Sequence, residues 1–238
     1  MKKNYIEVIQ EEVDREEFTD REKILQELFD WAVGISSYKS RSIALISPRR
    51  YGKTAILQRL YNKLFWEQDV VAPFYIEVPK QDMLMGDFSE LYFTTFLRQY
   101  VGFYLKDPDV SKNEKIDLDE LKDLVHQKEK IKKVSTAIEG FQKIKPIQGN
   151  WMKMWMYAQK APSWICDISG TYVAVIIDEF QELDSRIYMD KKYKILKKDI
   201  TGGFSGVCSK KNAPMLVSGS QVTIVTRKVF GGPLGGRE

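Results

Sequence analysis

Two short strings in this chain carry residue types and spacings that can do chemistry together. The first is Ser47-Pro48-Arg49-Arg50-Tyr51-Gly52-Lys53-Thr54, between the apolar run Ile43 to Ile46 and the helix-patterned run Ala55 to Phe65. A strand, a tight loop ending in Gly-Lys-Thr and a helix form the context that a phosphate-binding loop requires. Backbone N–H groups at a helix start lack intrahelical partners, and the helix dipole adds partial positive charge there. Gly52 lets the backbone approach a phosphate with no Cβ in the way. Lys53 can reach the β- and γ-phosphates, and the Thr54 hydroxyl can ligate magnesium. Ser47 stands where the full pattern has its first glycine, so the loop requires a negative φ at that residue. The expected nucleotide-binding set is Ser47, Pro48, Arg49, Arg50, Tyr51, Gly52, Lys53, Thr54 and Ala55.

The second string is Thr171-Tyr172-Val173-Ala174-Val175-Ile176-Ile177-Asp178-Glu179-Phe180. A fully apolar run of this length reads as a strand buried on both faces of a parallel sheet. It ends in two adjacent carboxylates, the Walker B arrangement. Asp178 is then a metal residue beside Thr54, and Glu179 can polarise the attacking water, with Lys53 as its catalytic companion. A core strand followed by a surface Asp-Glu turn is the alternative for this string alone. A further apolar run, Met215-Leu216-Val217-Ser218, leads into Gly219-Ser220-Gln221. Ser220 or Ser218 can therefore face the ligand crevice at the C-terminal edge of the sheet, with an ordinary Gly-Ser turn as the alternative.

The elements that must position these strings are legible in outline. The chain has 238 residues, 43% hydrophobic, with five Trp, twelve Tyr and twelve Phe. That suffices for one α/β domain with a sizeable core and an insertion. The net charge of +4 comes from interleaved acids and bases, which does not indicate nucleic-acid binding. Cys166 and Cys208 lack CxxC spacing, and the single histidine, His126, cannot build a metal site by itself. No apolar run is long enough to cross a membrane and no secretory signal opens the chain, so the expected location is the cytoplasm.

Residues 1–17 are charged and read as a loosely packed lead-in. Thr19 to Glu22 forms a capping box ahead of a helix carrying Ile24, Leu25, Leu28, Trp31 and Ala32. Phe74 to Val78 is a strand, and Ser89 to Leu105 a helix whose aromatic stripe belongs to the core. Within 106–146, Leu121, Leu124, Ile131, Val134, Ile138 and Phe141 follow helical spacing, broken by Lys128. This predicts one long amphipathic surface helix, or part of a helical insertion, with partner binding as the less favoured role. Trp151 to Ala161 reads as a helix, and Tyr188 to Ile200 as a basic helix ended by Thr201-Gly202-Gly203.

Together these residues resemble the archaeal-type ATPases, a clade of AAA-like P-loop proteins allied to the signal-transducing STAND ATPases. The resemblance is carried by Phe18-Thr19-Asp20-Arg21-Glu22, by Ser47 to Thr54 where the family usually reads Gly-Pro-Arg-Arg-x-Gly-Lys-Thr, by Ile177 to Gln181, and by Ser218-Gly219-Ser220. Gly232-Pro233-Leu234-Gly235-Gly236-Arg237 is similar to the family's Pro-Leu-Tyr-Gly-Arg motif. Ser47 and Gly235 depart from the pattern. The resemblance implies an α/β P-loop NTPase fold, a three-layer sandwich with a parallel sheet of the additional-strand type in the order 5-1-4-3-2. It also implies a helical lid and often a winged-helix domain. The chain stops at Glu238, where the family would still have a fifth strand and the lid. The expectation is one P-loop domain over 1–238, with a helical insertion at about 106–150 and no C-terminal lid or winged helix.

The function expected is ATP/ADP binding and slow, Mg2+-dependent ATP hydrolysis by a nucleotide switch acting on a protein partner or on itself. Arg21 is expected near the adenine and Arg237 near the phosphates. Two alternatives are carried: a DNA-associated motor or loader, supported only by the basic cluster Lys191 to Lys198, and a non-hydrolysing nucleotide-dependent scaffold.

Overall fold

The computed structural model describes residues 7–12, 21–48, 50–145, 147 and 149–220. Thr19 of the expected capping box, Arg49 of the loop, and Gly232 to Arg237 lie outside the described residues. In chain order the elements are α1 (Glu22–Val33), β1 (Ile43–Ile46), α2 (Lys53–Glu67), β2 (Val71–Glu77), β3 (Met83–Leu84) and α3 (Met85–Leu105). They continue with α4 (Pro108–Lys112), α5 (Leu118–Val125), α6 (Val134–Ile144), α7 (Trp151–Ser169), β4 (Tyr172–Asp178), α8 (Leu183–Arg186), β5 (Ile187–Tyr188), α9 (Ser205–Cys208) and β6 (Met215–Gly219).

The main sheet is parallel, with strand order β1-β6-β4-β2. β2 and β4 run in register from Val71 opposite Tyr172 to Glu77 opposite Asp178. β6 inserts between β1 and β4, with Leu216 opposite Ile43 and Gly219 opposite Ile46. The implied fifth strand has no counterpart among the described residues. β4 is buried from Val173 onward, which explains its unbroken apolar run, since a parallel strand covered on both faces needs no polar alternation. The covering layers are visible in β2. Phe74 meets Tyr92 and Phe96 of α3 at ring-centroid distances of 5.0 and 5.3 Å. The next side chain, Tyr75, points the other way and meets Gln58 of α2. Helices therefore lie on both faces. The C-terminal ends of all four strands share one edge, where an open α/β sheet binds its ligands.

Several sequence expectations change. Residues 7–12 are not loosely packed: Val8 and Ile9 each donate a backbone N–H to Asn62 Oδ1, at 2.9 and 3.0 Å, and Arg59 pairs with Glu11 at 2.8 Å. The segment is a strap along α2, and Val8 is fully buried. The single long helix expected over the charge-dense segment is replaced by α5, a 3-10 turn at Glu129–Ile131, and α6. The break has a cause: Lys128 takes an extended conformation and its ammonium bonds the Tyr104 carbonyl. Folding back lets Leu121, Val125, Ile131, Val134, Ile138 and Phe141 all be buried, with Phe141 stacked on Phe93 at 4.2 Å. The aromatic stripe of α3 is core, as expected. α7 runs past Pro162 to Ser169, because Ile165 and Cys166 continue its buried face.

The basic helix expected at Tyr188 to Ile200 does not form. β5 pairs with β3, and Tyr188 bridges antiparallel to Leu196. Asp190 caps the turn by accepting the N–H groups of Lys194 and Ile195 at 2.9 and 2.6 Å, and Tyr193 has φ 53°. An Asp that satisfies nearby backbone donors competes with helix, and here it prevails although Met189, Tyr193, Leu196 and Ile200 stand at helical spacing. Thr201–Phe204 is then a separate 3-10 turn anchored on Asp184.

Candidate functional site

The loop between β1 and α2 is shaped by two residues in the left-handed region, Arg50 at φ 65° and Gly52 at φ 66°. Gly52 is required twice over. An added Cβ would be strained there, and it would lie 3.0 Å from Arg21 Nη1. The Arg21 guanidinium donates to the Tyr51 carbonyl. Arg21 thus braces the loop's backbone. Ser47 does not take a positive φ, so its side chain is tolerated where the pattern has glycine. Tyr51 and Pro48 are exposed; Ala55 is buried in the first turn of α2.

Gly52 caps α2, and its carbonyl accepts the first helical bond from Ile56 at 3.2 Å. The amides of Lys53, Thr54 and Ala55 precede that bond and are the helix's unpaired donors. Lys53 is buried, and its Nζ donates to the carbonyls of Ser47 and Pro48 at 2.8 and 3.0 Å. An ammonium has three donors, so one remains for a ligand oxygen.

Across the sheet edge, Asp178 is fully buried at the end of β4. Its Oδ2 accepts from the Thr54 hydroxyl at 2.7 Å and from Tyr75 Oη at 3.5 Å. Its Oδ1 accepts from the Glu179 amide at 2.9 Å and from the Ser218 hydroxyl. Four donors compensate the loss of water around this carboxylate. The structure therefore brings together Thr54 and Asp178, which are 124 residues apart in sequence. Of the two serines considered at the β6 edge, Ser218 meets the acid pair. Ser220, the one expected to be catalytic, forms no hydrogen bond to Asp178 or Glu179 among the described residues. Ser218 lies inside β6, which pairs directly with β4, and Ser220 lies beyond the strand's end.

Glu179 stands at φ 51°, an uncommon conformation for a non-glycine residue and one that recurs at functional sites. Its carboxylate accepts from Gln181 Nε2, while Gln181 Oε1 is buried without a partner. Glu179, Lys53, Thr54 and Gly52 line one cavity of about 540 Å3 with Glu12, Arg50, Lys80, Glu182 and Arg186. Arg186 reaches it because β3 and β5 pair, setting its Nη1 3.2 Å from Asp82. Lys80 pairs with Glu77 at 2.8 Å, which raises the ammonium's pKa. The pKa of Glu12 is raised by burial first, then by the nearby charge of Glu77. Glu12 arrives on the strap, held by its amide to Gln58 Oε1 at 2.8 Å. The Tyr75 hydroxyl is held firmly protonated, by burial above all and then by the charge of Asp178.

The sequence reading missed Glu12, Tyr75, Lys80 and Arg186, brought here by tertiary packing, and Glu182, placed by the 3-10 turn that follows Glu179. Gln181 alone carried a signal, as part of the Asp-Glu-Phe-Gln string.

No family model matches the sequence, and no curated protein matches it either. Among solved structures, a Walker-type ATPase of Pyrococcus abyssi is similar, with a TM-score of 0.47 and 16% identity. The match covers 97% of this chain and 54% of that protein, so the chain spans about half the length of that structural neighbour.

Proposed function

We propose that this chain binds a nucleoside triphosphate at the β1–α2 loop and hydrolyses it with magnesium. The observation that carries the reading is the 2.7 Å bond between Thr54 Oγ1 and Asp178 Oδ2, at the edge of the cavity that Lys53 and Glu179 also line. The amides of Lys53, Thr54 and Ala55, with the Lys53 ammonium, bind the phosphate chain. Arg50 and Arg186 add charge on the cavity wall.

The donor set fits magnesium. A hydroxyl and a carboxylate oxygen stand side by side, and hard oxygen donors suit this ion. Among the described residues no group of three or more His, Cys, Asp or Glu could hold a metal ion. That suits an ion held by one or two protein oxygens together with substrate phosphates. Magnesium would supply neutralisation of the charge that builds on the phosphate oxygens. Glu179 orients the attacking water and accepts its proton, and Gln181 holds that carboxylate in place. Ser218 and Tyr75 fix the orientation of Asp178.

The strand order β1-β6-β4-β2 supports the additional-strand type, since β6 separates the loop strand from the acid strand. On this reading residues 1–238 are one P-loop domain, with residues 106–150 as a helical insertion. The biological role is a nucleotide-dependent switch of the AAA-like or STAND-like kind, acting on a protein partner or on itself. A DNA-associated role is the second reading. It rests on Lys191, Lys192, Lys194 and Lys198, exposed on and just after the turn that joins β5 to Leu196.

Calorimetric titration of ADP and a non-hydrolysable ATP analogue, with and without magnesium, tests the proposal. Lys53→Ala is expected to abolish binding. Glu179→Gln is expected to keep binding and lose turnover by roughly a hundredfold or more, the scale of general-base catalysis. Wild-type protein that binds neither nucleotide would end this reading. Salt-dependent DNA binding that Lys191 and Lys192 substitutions remove would favour the second.

A further inference from the structure

A second cavity, of about 440 Å3, opens among α3, residues 113–117, α5 and α6. It shares no lining residue with the phosphate cavity. Arg98 of α3 lines it and is only 6% exposed. Its Nη2 reaches Thr95 Oγ1 at 3.3 Å, its Nε has no partner, and it forms no ion pair among the described residues. A guanidinium keeps its charge at any working pH. A buried charge with so little compensation is costly, and a ligand anion would relieve it.

The surrounding charges narrow the ligand. Glu90 is paired with Lys145 at 2.5 Å, Asp119 accepts from Gln142 at 2.8 Å, and Asp117 caps α5 through the amides of Asp119 and Glu120. The α5 N-terminus is thus already satisfied and is not the anion site. These carboxylates rim the cavity and repel a doubly charged phosphate or sulfate. A planar carboxylate carries less charge and matches the guanidinium fork with two parallel hydrogen bonds. In the same cavity Glu114 is exposed, with no hydrogen bond or ion pair among the described residues, and Arg98 feels its charge without touching it. One guanidinium and one carboxylate in the same cavity, neither in an ion pair among the described residues, suit a zwitterion.

We propose that this cavity binds a free amino acid, its carboxylate on Arg98 and its α-ammonium on Glu114. Lys115 also lines the cavity and forms no ion pair among the described residues, so it is placed for a second carboxylate. Acidic amino acids therefore bind more tightly than glycine. The volume lies within the range of small-ligand sites.

The test is thermal-shift and calorimetric titration of the full chain with L-glutamate, glycine, propionate and inorganic phosphate. L-glutamate is expected to bind saturably and raise the melting temperature, glycine to bind more weakly, and phosphate least. Arg98→Lys keeps the charge but loses the fork, and should weaken L-glutamate by about tenfold. Glu114→Gln should weaken L-glutamate while propionate, which has no ammonium, binds as well as before or better. Arg98→Met should abolish binding with a melting temperature at or above wild type, because an uncompensated charge is gone. Should Arg98→Met fail to fold, the Lys and Gln variants carry the test. Absence of saturable L-glutamate binding at millimolar concentration, phosphate binding tighter than L-glutamate, or wild-type affinity for L-glutamate in Arg98→Lys or Glu114→Gln would each overturn the assignment.

Discussion

Asp178 shows how one buried side chain can tie several elements together. It is fully buried and holds Thr54, Ser218, Tyr75 and the Glu179 amide around its two oxygens. Asp178→Ala leaves four donors without their acceptor and should cost about 3 kcal/mol, read as a lower urea midpoint. Asp178→Asn should recover most of that loss while leaving magnesium-dependent nucleotide binding impaired. Equal stability of Asp178→Ala and wild type would mean that water replaces the carboxylate at no cost. Asp178, Lys53 and Thr54 were legible in the sequence because each belongs to a short string whose local geometry is self-contained. Tyr75 was not, since its alternating strand position says which face it takes but not what stands across that face. The choice between Ser218 and Ser220 depended on where β6 ends, and strand ends are poorly fixed by local pattern.

At the scale of elements, the sequence located hydrophobic segments better than their connections. α1, α2, α3 and the strands β1, β2, β4 and β6 follow from apolar runs and helical spacing. The split of α5 from α6 turns on Lys128 reaching a carbonyl of α3, a contact between segments that no local pattern contains. The turn after β5 depends on Asp190, whose competition with helix outweighs the helix propensity of the lysines around it. The strap at residues 7–12 was hidden for the opposite reason: its charged residues look solvated, yet Asn62 and Arg59 hold them. Asn62→Ala removes the acceptor for the Val8 and Ile9 amides. Faster hydrogen exchange at those two amides is the expected outcome, with the α3 core unchanged. Releasing the strap also withdraws Glu12 from the phosphate cavity. Nucleotide affinity without magnesium should then rise by roughly two- to fivefold at low salt, and Glu12→Gln should reproduce the rise. An Asn62→Ala protein with unaltered exchange at Val8 and Ile9 would show that the strap is held elsewhere.

Over the whole molecule, burial sets the response to alkali. The thiols of Cys166 and Cys208 are each pushed up to about 12 from an ordinary 9.0, by burial first. In the folded protein both stay protonated while the unfolded chain has begun to ionise. Their contribution to stability is intact below pH 9.0 and is lost as pH rises toward about 12. Buried tyrosines such as Tyr61 and Tyr92, whose hydroxyls burial also raises, act in the same direction above pH 10.0. Urea midpoints should therefore fall above pH 9.0, and alkylation of the buried Cys166 near neutral pH should track global unfolding, with the half-buried Cys208 reacting sooner. A flat alkaline profile would mean that the thiols reach solvent in the native state. The order of the sheet has a consequence for synthesis on the ribosome. Among the described residues β1, one of the first elements made, finds its hydrogen-bonding neighbour only in β6, at residues 215–219. Until that strand emerges, the loop strand has no fixed place beside the acid strand. A nascent chain arrested before Met215 should therefore ignore nucleotide, and one arrested well past Gly219 should capture it. Nucleotide would then report completion of the sheet to whatever factors wait at the ribosome's exit.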